Sequence, residues 1–529
     1  MARCLPTNPS ALLLAGVVGV LAILLSATVV AADANPFETA TEAKPYNEID
    51  RLVFSRLKDL GLAPARPCSD AVFIRRLYLD VIGTLPTARE AGAFLQDRDP
   101  GKRAALIDRL LARDEFADYW AMKWSDLLRI KAEFPINLWP NAAQEYHHWV
   151  RACLKDNVSY NRFAQQLLTS SGSNFRVPPV NFYRAMQNRD PEGVAQTVAL
   201  TFMGVRAEKW PKEKLAGMAA FFSQITYKST AEWKEEIVIF DPGRTNAATV
   251  AVYPDGKTVQ LSPARDPREL FADWLLAPGN PWFARSFANR VWSWLLGRGI
   301  VHEPDDFRLD NPPSNPELLA WLERELVTSD YNLKHLYRLI LNSKTYQLAS
   351  VATSQSPEAE ANFACYPLRR LDAEVLIDAL NQITGTTEQY TSPIPEPFTF
   401  IPEFQRSIAL PDGSISSSFL ELFGRPPRDT GLESERNNRP SAAQELHLLN
   451  SSHIQRKLEQ SPKLQNLLQS KAAPRDVVSG LYLMILSRYP TEAELQTVMD
   501  YGKGDKSARE ALLDVAWALV NSAEFLYRH

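Results

Sequence analysis

The chain has 529 residues and is nearly neutral, with 58 Lys and Arg against 62 Asp and Glu and a formal charge of −4. That length supports two or three domains with sizeable cores, and the absence of any basic tract argues against nucleic acid as a partner. Cys4 precedes the apolar N-terminal run, which leaves Cys68, Cys153 and Cys365. Their spacing fits no zinc or haem pattern, so buried apolar thiols with at most one disulfide are expected.

In chain order, Arg3, an apolar run from Ala11 to Ala32 and the small residues Ala32-Asp33-Ala34 read as a signal peptide over residues 1–34. Export to the periplasm or beyond is the expectation, with no membrane span after cleavage. The run is long enough to stay as an anchor, but Gly16, Gly19, Ser26 and Thr28 dilute it. Helical signals then dominate. Ser69 caps a segment carrying Phe73, Leu77 and Val81, and Thr87/Glu90, Ser314/Glu317 and Thr491/Glu494 form capping boxes. His147 and His148 are adjacent on a predicted helix, where side chains diverge by about 100°, so one faces the core and the other solvent. From Glu236 to Leu261 the pattern turns β, with a strand and then a hairpin turning at Asp255-Gly256.

The Phe283 to Phe307 stretch is the densest in signal. Phe283, Phe287, Val291 and Leu295 make one apolar stripe, while Arg285, Asn289 and Trp292 fall on another face. Gly297 and Gly299 end the helix. Asp305 and Asp306 follow within reach of Arg290 and Arg298, and a pair between Arg290 and one of them is expected. Two adjacent carboxylates also invite a glycosidase reading, although sequence neighbours seldom flank one substrate.

The fold expected is mainly α, with two helical domains, residues 35–228 and 265–529, and a small β-hairpin insert, residues 229–264, between them. Weak repeats support helical units: L-P-T-A-R-E-A after Leu85 and Y-P-T-E-A-E-L after Tyr489 each lead to a helix ending in Glu115-Phe116 or Glu524-Phe525. Asn342-Ser343-Lys344-Thr345-Tyr346 is related to the second ending. Residues 385–440 break the rhythm as a Pro-, Ser- and Gly-rich loop, read as a lid or flap, with Phe398, Phe400, Phe404 and Phe419 packing it onto the body. The loop carries Arg425, Arg428 and Arg436, whose guanidinium forks suit anions. His447 and Asn450 follow on one helical face, and the five residues are expected to gather around one polar hollow.

Several segments carry a family resemblance: F-I-R-R-L-Y-L-D-V-I-G-T-L-P-T from Phe73, T-F-M-G-V-R from Thr201, R-E-L-F-A-D-W-L-L from Arg268 through Trp292, and G-R-G-I-V from Gly297. Together they resemble a pair of domains of unknown function from secreted planctomycete-type proteins, often fused to or encoded with c-type cytochrome domains. The resemblance implies no settled activity. It does imply two cysteine sets, a C-x-x-C-H and a C-x-C, that are missing here: Val205 to Trp210 runs straight through the first, and Leu432 and Ser434 stand at the second. Their joint absence implies that they form one site or one set of disulfides in relatives.

No nucleophile elbow, phosphate loop, dinucleotide fingerprint or H-E-x-x-H occurs, which removes the common enzyme classes. Without C-x-x-C-H or a ligand-spaced Cys/His set, neither haem nor another cofactor nor a metal is expected. Three readings remain: a non-enzymatic exported module docking a cytochrome-related or sulfatase-like periplasmic partner, a glycan binder or hydrolase using the Arg-rich loop, and a redox protein. The missing cysteines weigh against the last.

Overall fold

The computed structural model describes residues 35–244, 248–504 and 507–529, so the expected signal segment lies outside the described residues. About 52 % of the chain is helical and 6 % is strand, a mainly α fold with a small β insert. Most helices begin where a short polar side chain can accept an orphan backbone N–H. In α1 (Glu48–Asp59) that cap is Asn47, and Asp50 of the same capping box also accepts from Thr345 N at 2.8 Å. Ser69 caps α2 (Asp70–Val81), in which Phe73, Leu77 and Val81 are fully buried as their spacing requires.

The Thr87 box opens α3 (Ala88–Gln96), followed by α4 (Lys102–Leu111) and α5 (Asp114–Leu127). Helix α6 (Pro140–Lys155) buries His147 and exposes His148, as the divergence of neighbours on a helix dictates. The expected stripe of α7 (Phe283–Leu296) is completely buried. One start differs from expectation: α8 (Pro316–Thr328) is capped by Asn315, not Ser314, because Pro316 fixes the first helical position one residue further on.

The β region is wider than the sequence suggests. Strand β3 (Glu236–Phe240) lies between β1 (Gly172–Ser173) and β2 (Ile225–Ser229), antiparallel to both, and β4 (Val250–Val252) pairs with β5 (Thr258–Gln260). Strand β2 precedes the expected insert; its polar Ile225-Thr226-Tyr227-Lys228-Ser229 sequence becomes a strand only because β3 supplies a full ladder.

One buried core runs from Ile49 to Phe525. Helices α5 and α7 meet in it through Trp124 on Phe287, ring centroids 6.0 Å apart, and Trp120 on Trp294 at 5.3 Å. Of the four phenylalanines expected to pack the long loop inward, only Phe419 joins the core, beside Ile408, Leu410, Ile415 and Phe423 of the same loop. Phe398, Phe400 and Phe404 are 47, 69 and 77 % exposed, which corrects the expectation that all four pack inward. Phe398 finds its ring partner at the surface instead, Trp139 at 5.3 Å.

The two repeated stretches share an order of elements. Helices α9 (Leu333–Asn342), α10 (Ala373–Thr384), α11 (Ala442–Asn450) and α12 (Ser452–Glu459) lead to α13 (Pro474–Leu486), α14 (Glu492–Tyr501), α15 (Ala508–Val520) and α16 (Ala523–Leu526). Leu77-Tyr78-Leu79 of α2 corresponds to Leu481-Tyr482-Leu483 of α13. Each helix then turns through a left-handed residue, Gly83 at φ 59° and Ser487 at φ 62°, before its Pro-Thr capping box. The two units touch: Arg75 of α2 donates to Ile485 O at 2.8 Å and to Phe525 O at 2.9 Å.

Candidate functional site

Helix α7 spreads its polar residues over different environments. Arg285 reaches outward to Glu323 at 2.9 Å. Asn289 is buried and makes two bonds to Val301, donating to its carbonyl and accepting from its N–H, both at 2.9 Å. Trp292 packs edge-on against Phe363, centroids 5.0 Å apart. Arg290 Nη2 lies 2.7 Å from Asp305 Oδ1, each side chain 1 % exposed, and donates also to the carbonyls of Thr201 and Leu200 at 2.8 and 3.3 Å. The second oxygen of Asp305 accepts from Glu433 N at 2.7 Å.

One ion pair therefore ties α7 to the turn at 200–201 and to the loop at 433, which adjoin the two segments where the resemblance implies cysteines. Arg298 has no ion pair among the described residues, and Asp306 goes to Arg308 at 3.1 Å. With Asp305 consumed and sealed from solvent, the carboxylate pair is not arranged for glycoside cleavage.

The loop arginines do converge, but on carboxylates of the body. Arg428 Nε donates to Asp126 Oδ1 at 3.0 Å, and Arg436 bridges Asp126 Oδ2 and Glu374 Oε2, both at 2.7 Å. Arg425 anchors the loop to the carbonyls of Ile415 and Asp412, with Nε 3.6 Å from Glu374 Oε1. His447 belongs elsewhere: its Nε2 faces His453 Nδ1 at 3.4 Å, and His453 Nε2 meets Glu388 at 2.9 Å. Asn450 points to solvent. The two groups share no hydrogen-bond partner, because the chain between them is capped at Ser441 and the side chain of Gln444 is taken by Arg370.

A larger hollow opens beside the arginine cluster, with a volume of about 780 Å³. Its basic walls are Lys123 of α5, Arg369 and Arg370 of β6 (Arg369–Arg370), Arg436 and Arg439 of the loop, and Arg528 of β7 (Tyr527–Arg528); its acidic ones are Glu303, Asp372 and Glu433. Strands β6 and β7 pair antiparallel with Arg369 opposite Arg528, an arrangement that like charges disfavour. Asp80 of α2 resolves it by standing 3.2 Å from each guanidinium.

At the floor, Asp372 Oδ2 receives Arg528 at 2.9 Å and Lys123 at 3.1 Å, and Oδ1 accepts from Asn438 at 2.7 Å. Burial pushes the Asp372 carboxyl up, but Lys123, Arg528 and Arg436 outweigh it and hold it well below the usual range. Burial, reinforced by Arg436, pushes the Lys123 amine down, and burial pushes the Glu433 carboxyl up.

Arg370 stands apart. It is 6 % exposed, yet among the described residues no carboxylate pairs with it. It donates to Gln444 Oε1 at 2.7 Å and lies over the Phe423 ring at 5.4 Å, while its Nε has no partner. Among the described residues no group of three or more His, Cys, Asp and Glu is placed to hold a metal ion, and all three cysteines are free.

Sequence reasoning missed Lys123, Arg369, Arg370, Asp372, Glu433 and Arg528. Two signals were present: a lysine between Met122 and Trp124 in the apolar Tyr119–Trp124 stretch of α5, and the R-R-L-D-A-E cluster before the apolar run of α10. Lysine is almost never buried without a partner.

The architecture and site define a mainly α protein built around a buried ionic hollow. Residues 48–226 match the family model PSCyt2 and residues 267–501 the model PSD1, each described as a protein of unknown function, DUF1549 and DUF1553. The chain belongs to this family of paired, cytochrome-associated planctomycete-type domains. No curated protein and no solved structure matches it. No helix among the described residues is long and apolar enough to cross a membrane.

Proposed function

We propose that the chain is an exported binding protein that takes an anionic group into the Lys123/Asp372 hollow and performs no redox chemistry of its own. The observation that carries this reading is Arg370, a buried cation at the wall of an open hollow with no carboxylate within ion-pair distance among the described residues, Glu445 acting on it only from further off. A buried charge without a partner is costly, and a bound carboxylate or sulfate would relieve it. Of the six basic groups in its walls, Lys123, Arg369, Arg436 and Arg528 are held by Asp372, Asp80, Asp126 and Glu374, which leaves Arg370 and Arg439 without an ion pair among the described residues. The absence of cysteines at Val205 to Trp210 and at Leu432 and Ser434 supports the non-redox part.

A cytochrome-related or sulfatase-like partner would bring the anion as a side-chain carboxylate. The second reading, a glycan binder or hydrolase, is favoured by Arg436 and Arg439 of the Arg-rich loop in the same wall and would bring it as a uronate or sulfate.

The test is thermal unfolding in sodium sulfate and sodium acetate against sodium chloride at constant ionic strength. Sulfate should stabilise saturably, by about 2.7 kcal/mol at a hundred times Kd, and Arg370→Gln should abolish the effect. Equal stabilisation by chloride, or an unchanged response in Arg370→Gln, rejects the proposal.

A further inference from the structure

Leu368 and Tyr527 line the hollow and also line a neighbouring groove of about 410 Å³, whose other walls include Phe37, Val72 and Val351. The two spaces therefore adjoin at these two side chains, one charged and one hydrocarbon. Leu368 and Val351 are 61 and 46 % exposed, apolar surface left in water beside a ring of cations.

We propose, building on the anion-binding reading, that the ligand is a small acid with a hydrocarbon tail, its carboxylate in the hollow near Arg370 and its chain along the Val351 groove. Arg370, which has no carboxylate within ion-pair distance among the described residues, selects the carboxylate. The groove selects the tail, because it offers almost nothing to a polar chain. Its polar members are Ser350, Glu524, Tyr527 and His529; Glu524 is held through both oxygens by Arg488 at 2.6 and 2.8 Å, His529 Nδ1 faces Tyr527 O at 3.3 Å, and Ser350 Oγ is buried without a hydrogen-bond partner.

A peptide backbone laid there would strand N–H and C=O groups, and a sugar would strand hydroxyls. An alkyl chain loses nothing and gains about fourfold in affinity per buried methylene.

The experiment is calorimetric titration of the full chain with acetate, octanoate, octylamine and a short peptide ending in leucine with a free carboxylate, repeated with Val351→Asn, a surface position that lines only the groove. Octanoate should bind at least about fiftyfold tighter than acetate. Val351→Asn should cut octanoate affinity at least about fivefold while leaving acetate and sulfate binding unchanged.

Equal affinities for octanoate and acetate would overturn the tail but leave the anion reading standing. Octylamine binding as tightly as octanoate would overturn the carboxylate, and a peptide binding more tightly than octanoate would replace the small acid by a protein chain end. If neither acetate, sulfate nor octanoate binds, this inference and the anion reading both fall.

Discussion

Arg290 is worth most to the fold through what its loss would strand. With Asp305 buried and its other oxygen already used by Glu433 N, Arg290→Ala leaves a carboxylate short of its cation. The expected cost is about 3–5 kcal/mol, read as a fall in the thermal midpoint; replacing Arg290 and Asp305 together by Met and Leu should recover most of it. His147 works through pH. Burial holds its imidazole down at about 3 against an ordinary 6.5, and neither ring nitrogen has a partner.

The unfolded chain therefore takes up a proton below 6.5 while the folded chain does not. Stability is full above pH 6.5 and is lost progressively toward pH 3, at up to about 1.4 kcal/mol per pH unit. His147→Leu should remove roughly 2–3 kcal/mol of the stability lost between pH 7.5 and 4.5, measured by urea midpoints; an unchanged slope would mean the ring is protonated in place. The Arg290 pair was legible because Asp305 follows on the same short segment, just past a glycine-stopped helix. The hollow was not, because Asp80, Lys123, Asp372 and Arg528 come from four distant elements, and neither the lysine among apolar neighbours nor the R-R-L-D-A-E cluster shows alone which charges it meets.

At the scale of elements, the repeated unit is closed by the same clasp in both copies. Arg113 reaches the box residue Glu90 at 3.1 Å and Glu115 at 2.5 Å, and Arg488 reaches the box residue Glu494 at 2.7 Å and Glu524 at 2.6 Å. The boxes and the Glu-Phe endings were readable in sequence. The clasp was not, since one arginine follows its box by a helix and the other precedes it, so no alignment brings them together. The Arg488 side chain is 7 % exposed and that of Arg113 is 31 %. Arg488→Ala should therefore cost about 3 kcal/mol and Arg113→Ala about 1 kcal/mol or less. Hydrogen exchange should show the Arg488 loss concentrated in α14 to α16; equal costs for the two would show that burial does not set the strength of the clasp.

For the whole molecule the question is whether the two family segments stand alone. Trp120, Trp124 and Tyr160 from the first segment interlock with Phe283, Phe287 and Trp294 from the second, with Tyr160 stacked 3.9 Å from Phe287 and 4.6 Å from Phe283. All six are buried. If each ring lost only about 100 Å² of cover on separation, at 25 cal/mol per Å² the cost would be roughly 15 kcal/mol, as large as the whole stability of a typical domain. The hollow is divided in the same way, with Tyr119 and Lys123 from one segment, Arg370 and Asp372 from the other, and Arg528 from the chain that follows it. Residues 35–228 and 265–529 expressed separately should each lack a cooperative thermal transition, and neither should bind sulfate. Co-expression should restore both properties together, because Trp120 and Trp124, which join the segments, and Lys123, which lines the hollow, lie on the same helix, α5. A cooperative transition in either isolated half would show instead that its own helices carry enough core, and that the aromatic junction only joins two bodies already folded.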